Sequence, residues 1–228
     1  SFLEDTWVQT AFIALTLITV FMGSMLAYKE KILKRRLAYS SVSQVSYILF
    51  GVSLMHPLAL AGALAHVIFH SVMKNGLFLC AGSIIYKTGK TKIDQLKGIG
   101  KQMPITLICF TLLGISMVGI PPFCGFFSKK DLCLGALASG IPVVRYAGPV
   151  ILLISALLTA GYLLVPAFHA FYRTPEGVKE GEQTKSCEAG LWILIPLVVL
   201  AAATIILGIC FSGFETLCID IAYLNGIF

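Results

Sequence analysis

The charged residues of this chain are gathered into short stretches between long apolar runs, and few architectures tolerate that separation. Hydrophobic residues make up 57% and charged residues 12% of the 228 positions, with a mean hydropathy of +0.90. A soluble globule needs more charge than this to cover its surface. A bilayer does not, because helices there satisfy their own backbone groups and turn apolar side chains to lipid. At about 20 residues per crossing, the chain has room for about six or seven spans. Apolar runs fall near 7–27, 37–56, 58–86, 103–121, 126–138, 146–172 and 190–212. The periodicity therefore predicts an all-α, multi-pass helix bundle in a membrane. None of these runs has the make-up of a cleavable signal, and Ser1 is not an ordinary start residue, so an upstream part is expected to be missing.

The net charge of +6 would suggest a nucleic-acid partner in a soluble protein. Here the basic residues mark topology instead. Five lie in Lys29–Arg36, five in Lys87–Lys101, and Arg173, Lys179 and Lys185 follow Tyr172, so these thirteen of seventeen are expected to share the cytoplasmic side. That requires segments 126–138 and 146–172 to make one net crossing, interrupted around Ala138-Ser139-Gly140-Ile141-Pro142, where glycine and proline break helical hydrogen bonding. The alternative is a plain loop there between two full crossings, which would move 173–188, with its three basic and four acidic residues, to the other side. The first topology sets both termini outside. The tail after Ser212 is then a short surface helix or the beginning of something further.

Inside the third run, His66, His70 and Lys74 recur every four residues and so line one face of a helix. An ionisable side chain in hydrocarbon costs about 2.5 kcal/mol or more, which is tolerated mainly where it faces a polar interior or a watery path. Histidine, with an ordinary pKa of about 6.5, takes up and releases a proton near neutrality, and burial eases the neutral form of a lysine. The row is a candidate proton wire. Its step of about 6 Å would be bridged by one or two ordered waters. The alternative for a membrane histidine is a hydrogen bond between helices, and His56 and His169, near span ends, are read that way. Lys129 and Lys130, with Asp131 beside them, either anchor a helix start at the interface or turn one amine inward. Tyr39, Ser40, Ser41, Ser43, Gln44, Ser46 and Tyr47 put unusual polarity into the second run. Their groups do not store protons near neutral pH, so they are read as helix contacts and as partners for water.

The seven cysteines (80, 109, 124, 133, 187, 210 and 218) show no metal-ligand spacing, and most sit in apolar runs as small apolar side chains. No phosphate-binding glycine loop, nucleophile elbow or ligand cluster points to an enzyme, a cofactor or a metal, so any redox chemistry is expected of partners.

Four blocks now stand in order: 34–44 (KRRLAYSSVSQ), 65–74 (AHVIFHSVMK), 93–100 (IDQLKGIG) and 119–129 (GIPPFCGFFSK). They resemble the antiporter-like membrane subunits of respiratory complex I, of membrane-bound hydrogenases and formate hydrogenlyase, and of multisubunit cation/proton antiporters. Ile32 departs from the pattern, standing where that family usually carries an acidic residue. The resemblance implies two inverted five-helix repeats, each with a broken helix. Residues 37–212 would form the second repeat, with its broken helix at 126–172. Residues 1–36 would supply the preceding helix and basic loop, and 213–228 a C-terminal tail. It also implies that His66, His70 and Lys74 form a central relay, that Lys129 exchanges protons toward the outer side, and that Tyr39, Ser41, Ser43 and Gln44 support them. Lys130 matches no role. The expected function is proton translocation within a redox-driven complex of a prokaryotic cytoplasmic membrane. Expected partners are a chain supplying the first repeat, other membrane subunits, a hydrophilic redox module and the lipid bilayer, with no nucleic acid. Sodium/proton exchange is the alternative within transport, though it needs oxygen ligands and Asp131 is the one carboxylate in the spans. A purely structural or assembly subunit is the alternative outside it.

Overall fold

A computed structural model describes the backbone of residues 7–172 and 186–224, with side chains as far as 220. The described residues form eight α-helices, α1 (Trp7–Lys29), α2 (Leu33–Ser53), α3 (Pro57–Thr88), α4 (Pro104–Val118), α5 (Cys124–Ala138), α6 (Pro142–Tyr172), α7 (Leu191–Ile209) and α8 (Phe211–Leu224), with two short 3-10 helices, Ile93–Leu96 and Ile99–Lys101, between α3 and α4. Local chemistry sets the boundaries. Pro57, Pro104 and Pro142 open helices at positions where a missing N–H goes unnoticed. Gly89 and Gly119 close α3 and α4 in the left-handed conformation that other residues avoid. By length and composition α1, α3, α6 and α7 can each cross a bilayer.

Helix α3 runs antiparallel to both α2 and α5. Gln44 and Leu37 of α2 meet His66 and Lys74 of α3, while Ser128 and Asp131 of α5 meet His66 and Gly62 of α3. Pairings at the loops define one end of the bundle. Ile93 N donates to Lys31 O and Leu33 N to Thr91 O, Cys187 N donates to Gln102 O, and Gly98 N donates to His169 O. The basic stretches 29–36 and 87–101 therefore lie at one end, where Tyr172 and Ser186 also lie. Arg173, Lys179 and Lys185 fall outside the described residues.

A crossing is broken, but not where the glycine and proline near 140 suggest. The chain reverses at Ser139–Ile141. Beyond it, Gly148 packs on Ala136, and Leu152 and Leu153 share a cleft with Cys133, so α6 folds back beside α5. A plain turn stands at 139–141. The discontinuity lies between α4 and α5, at 119–123, because Gly119 takes φ +94° and Pro121 and Pro122 lack the N–H groups that would continue α4. Gly125 packs on Ser116 and against Met73, which sets the break beside the middle of α3. Together α4 and α5 make the traverse that runs from the basic end to the far end.

The polar residues of α2 join helices. Ser43 Oγ lies 2.8 Å from Ser24 of α1 and 3.3 Å from Ser155 of α6, and Tyr162 of α6 donates to Ser40 at 2.6 Å. Arg36 spans three elements, donating to Glu30 O, Tyr28 O and Tyr162 O. The last carbonyl is free because Pro166, four residues on, has no N–H. Two apolar clusters surround this frame. Ala59 and Ala63 of α3 belong to one, Ala65 through Ile84 to the other, and His66 lies where they meet. Beyond Ser212 the tail continues α8, whose Phe211 and Phe214 pack on Phe69.

Candidate functional site

His66 is fully buried at the crossing of three helices. Its Nε2 faces Gln44 Oε1 of α2 at 3.0 Å and its Nδ1 faces Ser128 Oγ of α5 at 2.9 Å. A neutral ring donates from Nε2 to the amide oxygen and accepts from the hydroxyl at Nδ1. A second proton at Nδ1 then finds the same hydroxyl as acceptor, so both protonation states are satisfied. The ring is stacked between Tyr47, with centroids 5.8 Å apart, and His70, at 6.1 Å.

His70 is half-buried, and its Nε2 has no partner among the described residues. Lys74, one turn further, donates from Nζ to Leu37 O at 2.9 Å. The same carbonyl accepts from Ser41 Oγ at 3.2 Å. The interval of four thus holds, and the three side chains follow one face of α3.

Lys129 joins them from α5. Its buried Nζ crosses the break to Met117 O at 2.6 Å and Val118 O at 3.2 Å, and it lies 5.1 Å from the centre of the Tyr47 ring. Those carbonyls are the last of α4, left without helical partners and carrying the negative end of its dipole, so a cation fits there. From this position Lys129 acts electrostatically on His66, His70 and Lys74. A cleft of about 240 Å³ opens beside it, lined by Tyr47, Phe126, Cys133 and Leu152.

The supporting residues separate. Gln44 meets His66 and Ser41 shares the Leu37 carbonyl with Lys74, while Ser43 belongs to the seam with Ser24 and Ser155, and Tyr39 is exposed. Sequence spacing does not single out Ser128; its place directly before Lys129 is the one signal for it. His56 caps its own helix by accepting from Leu58 N at 3.3 Å instead of bonding a neighbouring helix. The His169 ring packs on Phe168.

Residues 1–159 match the family described as NADH:quinone oxidoreductase/Mrp antiporter, TM. NADH-quinone oxidoreductase subunit N of Desulforudis audaxviator is 37% identical over 198 residues, which is 83% of this chain and 39% of that protein. A Na(+)/H(+) antiporter subunit of Alkalihalophilus pseudofirmus is 34% identical over 205 residues, or 90% of this chain and 40% of that one. The chain thus spans about two fifths of the length of these curated relatives. A chain of the Mrp complex from Dietzia sp. DQ12-45-1b superposes with a TM-score of 0.83 at 24% identity, covering 96% of this chain and 47% of that one, a likeness of fold. An apolar helical bundle with a broken traverse, read together with the match over 1–159, makes this chain an integral membrane protein of the NADH:quinone oxidoreductase/Mrp antiporter family.

Proposed function

We propose that the chain is the second-repeat part of an antiporter-like subunit, and that His66, His70, Lys74 and Lys129 relay protons through it. The observation that carries this reading is the buried His66 ring, partnered on both nitrogens and continued on one side by His70 and Lys74. Such partners let a group gain or lose a proton without leaving a buried polar atom unpaired. Water between the side chains completes the steps. Lys129, on the terminal carbonyls of α4, exchanges protons toward the far end.

In this reading residues 37–212 correspond to the second repeat, preceded by α1 and the basic loop, and another chain or segment supplies the first. The basic end faces the cytoplasm of a prokaryote. A hydrophilic redox module drives the relay by shifting charge beside it. The names of the relatives support such an assembly, since one is part of a quinone oxidoreductase and another part of an antiporter.

The test is Lys74→Ala in the whole complex, purified through this chain and sealed into vesicles with a trapped pH dye. Proton flux is expected to fall by about tenfold or more at unchanged complex abundance. Undiminished flux would leave the chain with a structural role only. Sodium/proton exchange is favoured by the likeness to the Na(+)/H(+) antiporter of Alkalihalophilus pseudofirmus, and flux that follows sodium concentration would put it in place of proton translocation alone.

A further inference from the structure

Asp131 is the carboxylate that the relay leaves unused. Its side chain is 0% exposed, and neither oxygen has a well-aligned hydrogen-bond donor among the described residues. Burying a carboxylate this way costs several kcal/mol unless the charge is well paired. Its neighbour Lys130 brings Nζ to 3.2 Å from Oδ1 and to 3.7 Å from Glu215 Oε1 of α8. Adjacent residues of a helix point to different sides, so the Asp131–Lys130 pair fastens no two helices together. The link from α5 to α8 runs through Lys130 and Glu215, which leaves the buried carboxylate little purpose of its own.

Its placement gives it one. Asp131 Cβ lies 3.0 Å from where a side chain on Gly62 would begin, so the base of the Asp131 side chain takes the space that this glycine leaves. Gly62 is one turn before His66 on α3, and Ser128, which faces His66 Nδ1 at 2.9 Å, is one turn before Asp131 on α5. Histidine, hydroxyl and carboxylate therefore descend one interface toward the far end. The other titratable groups facing Asp131 are Lys130 on its own helix and Glu215 and Cys218 on α8. Glu215 is 25% exposed and Lys130 35%, so the line leads from a sealed interior to a partly open face.

We propose that Asp131 is a proton-carrying carboxyl which continues the His66–Ser128 line to Glu215, giving the relay a second outlet beside Lys129. The proposal rests on the relay reading. A proton leaves Nδ1 of the His66 imidazolium as the Ser128 hydroxyl takes it and releases its own. Through water that proton reaches the Asp131 carboxylate. His66 ends neutral and Asp131 ends as a carboxylic acid, which then passes its proton to the Glu215 carboxylate. Lys130 Nζ stays beside both carboxylates and holds whichever is charged.

The experiment compares Asp131→Asn, Asp131→Glu, the double change Asp131→Asn with Lys130→Met, and Lys74→Ala, each in the whole complex sealed into vesicles with an imposed pH gradient. Asp131→Asn is expected to slow flux about tenfold. Asp131→Glu is expected to keep most of it, and the charge-balanced double variant to be as slow as Asp131→Asn. Recovery of flux in the double variant overturns the proposal, since it would make the carboxylate only a partner for Lys130. Full flux in Asp131→Asn beside a loss in Lys74→Ala overturns the outlet and leaves the relay standing. Undiminished flux in Lys74→Ala removes the relay itself. Should the asparagine variant fail to assemble, the unaltered complex decides through a hydrophobic carbodiimide, which attacks protonated carboxyls. Modification of Asp131, read by peptide mass spectrometry, is expected, and its absence overturns the assignment.

Discussion

His66 illustrates how much a single buried ring asks of its neighbours. Gln44→Leu removes the acceptor at Nε2, and an orphaned buried donor costs about 1–3 kcal/mol. The expected result is a lower unfolding temperature of the detergent-solubilised complex together with slower proton flux; unchanged values of both would show that the amide does not hold the ring. The row of His66, His70 and Lys74 was readable in the sequence because interval-four spacing depends on one helix alone. The partners were not readable to the same degree. Gln44 is 22 residues and Ser128 62 residues from His66, and only the packing of α2 and α5 against α3 brings them to its two nitrogens. Ser43, Gln44's neighbour, instead faces α1 and α6, because adjacent positions on a helix point to different sides.

At the scale of elements, prolines and the residues that answer them shape the bundle. Pro166 frees Tyr162 O, and Arg36 Nη1 takes it at 3.0 Å while its other nitrogens hold the end of α1. Arg36→Ala is expected to destabilise by about 1–3 kcal/mol through the unpaired carbonyls. Pro166→Ala restores the missing N–H, so the two changes together are expected to cost less than their sum, measured as unfolding in detergent; strict additivity would show that Arg36 is not serving the proline gap. Breakers were visible in the sequence, but their consequences were not. Gly119 with Pro121-Pro122 and Gly140 with Pro142 read alike as letters. What distinguishes them is whether the next helix continues or folds back, and that is settled by packing far along the chain, such as Gly148 on Ala136.

For the whole molecule, the pairings of the loops make a statement about sides. In a background with the native cysteines replaced, cysteine at Lys31 or Lys90 is expected to react with a membrane-impermeant maleimide from one face of the membrane, and cysteine at Gly140 from the other; labelling of all three from one face would refute the traverse made by α4 and α5. The apolar runs had already announced a membrane bundle, since mean hydropathy and span length depend on composition alone. That traverse has a further property. Its two halves are fastened where Lys129 donates to Met117 O and Val118 O, and hydrogen bonds from an ammonium are roughly twice as strong as those from a neutral amine. The clasp between the half-helices therefore tightens when the amine carries a proton and slackens when it gives one up. In the proposed relay, each proton passing this lysine would also be a small mechanical stroke, and a neighbour that pushes on the joint would push on the proton as well.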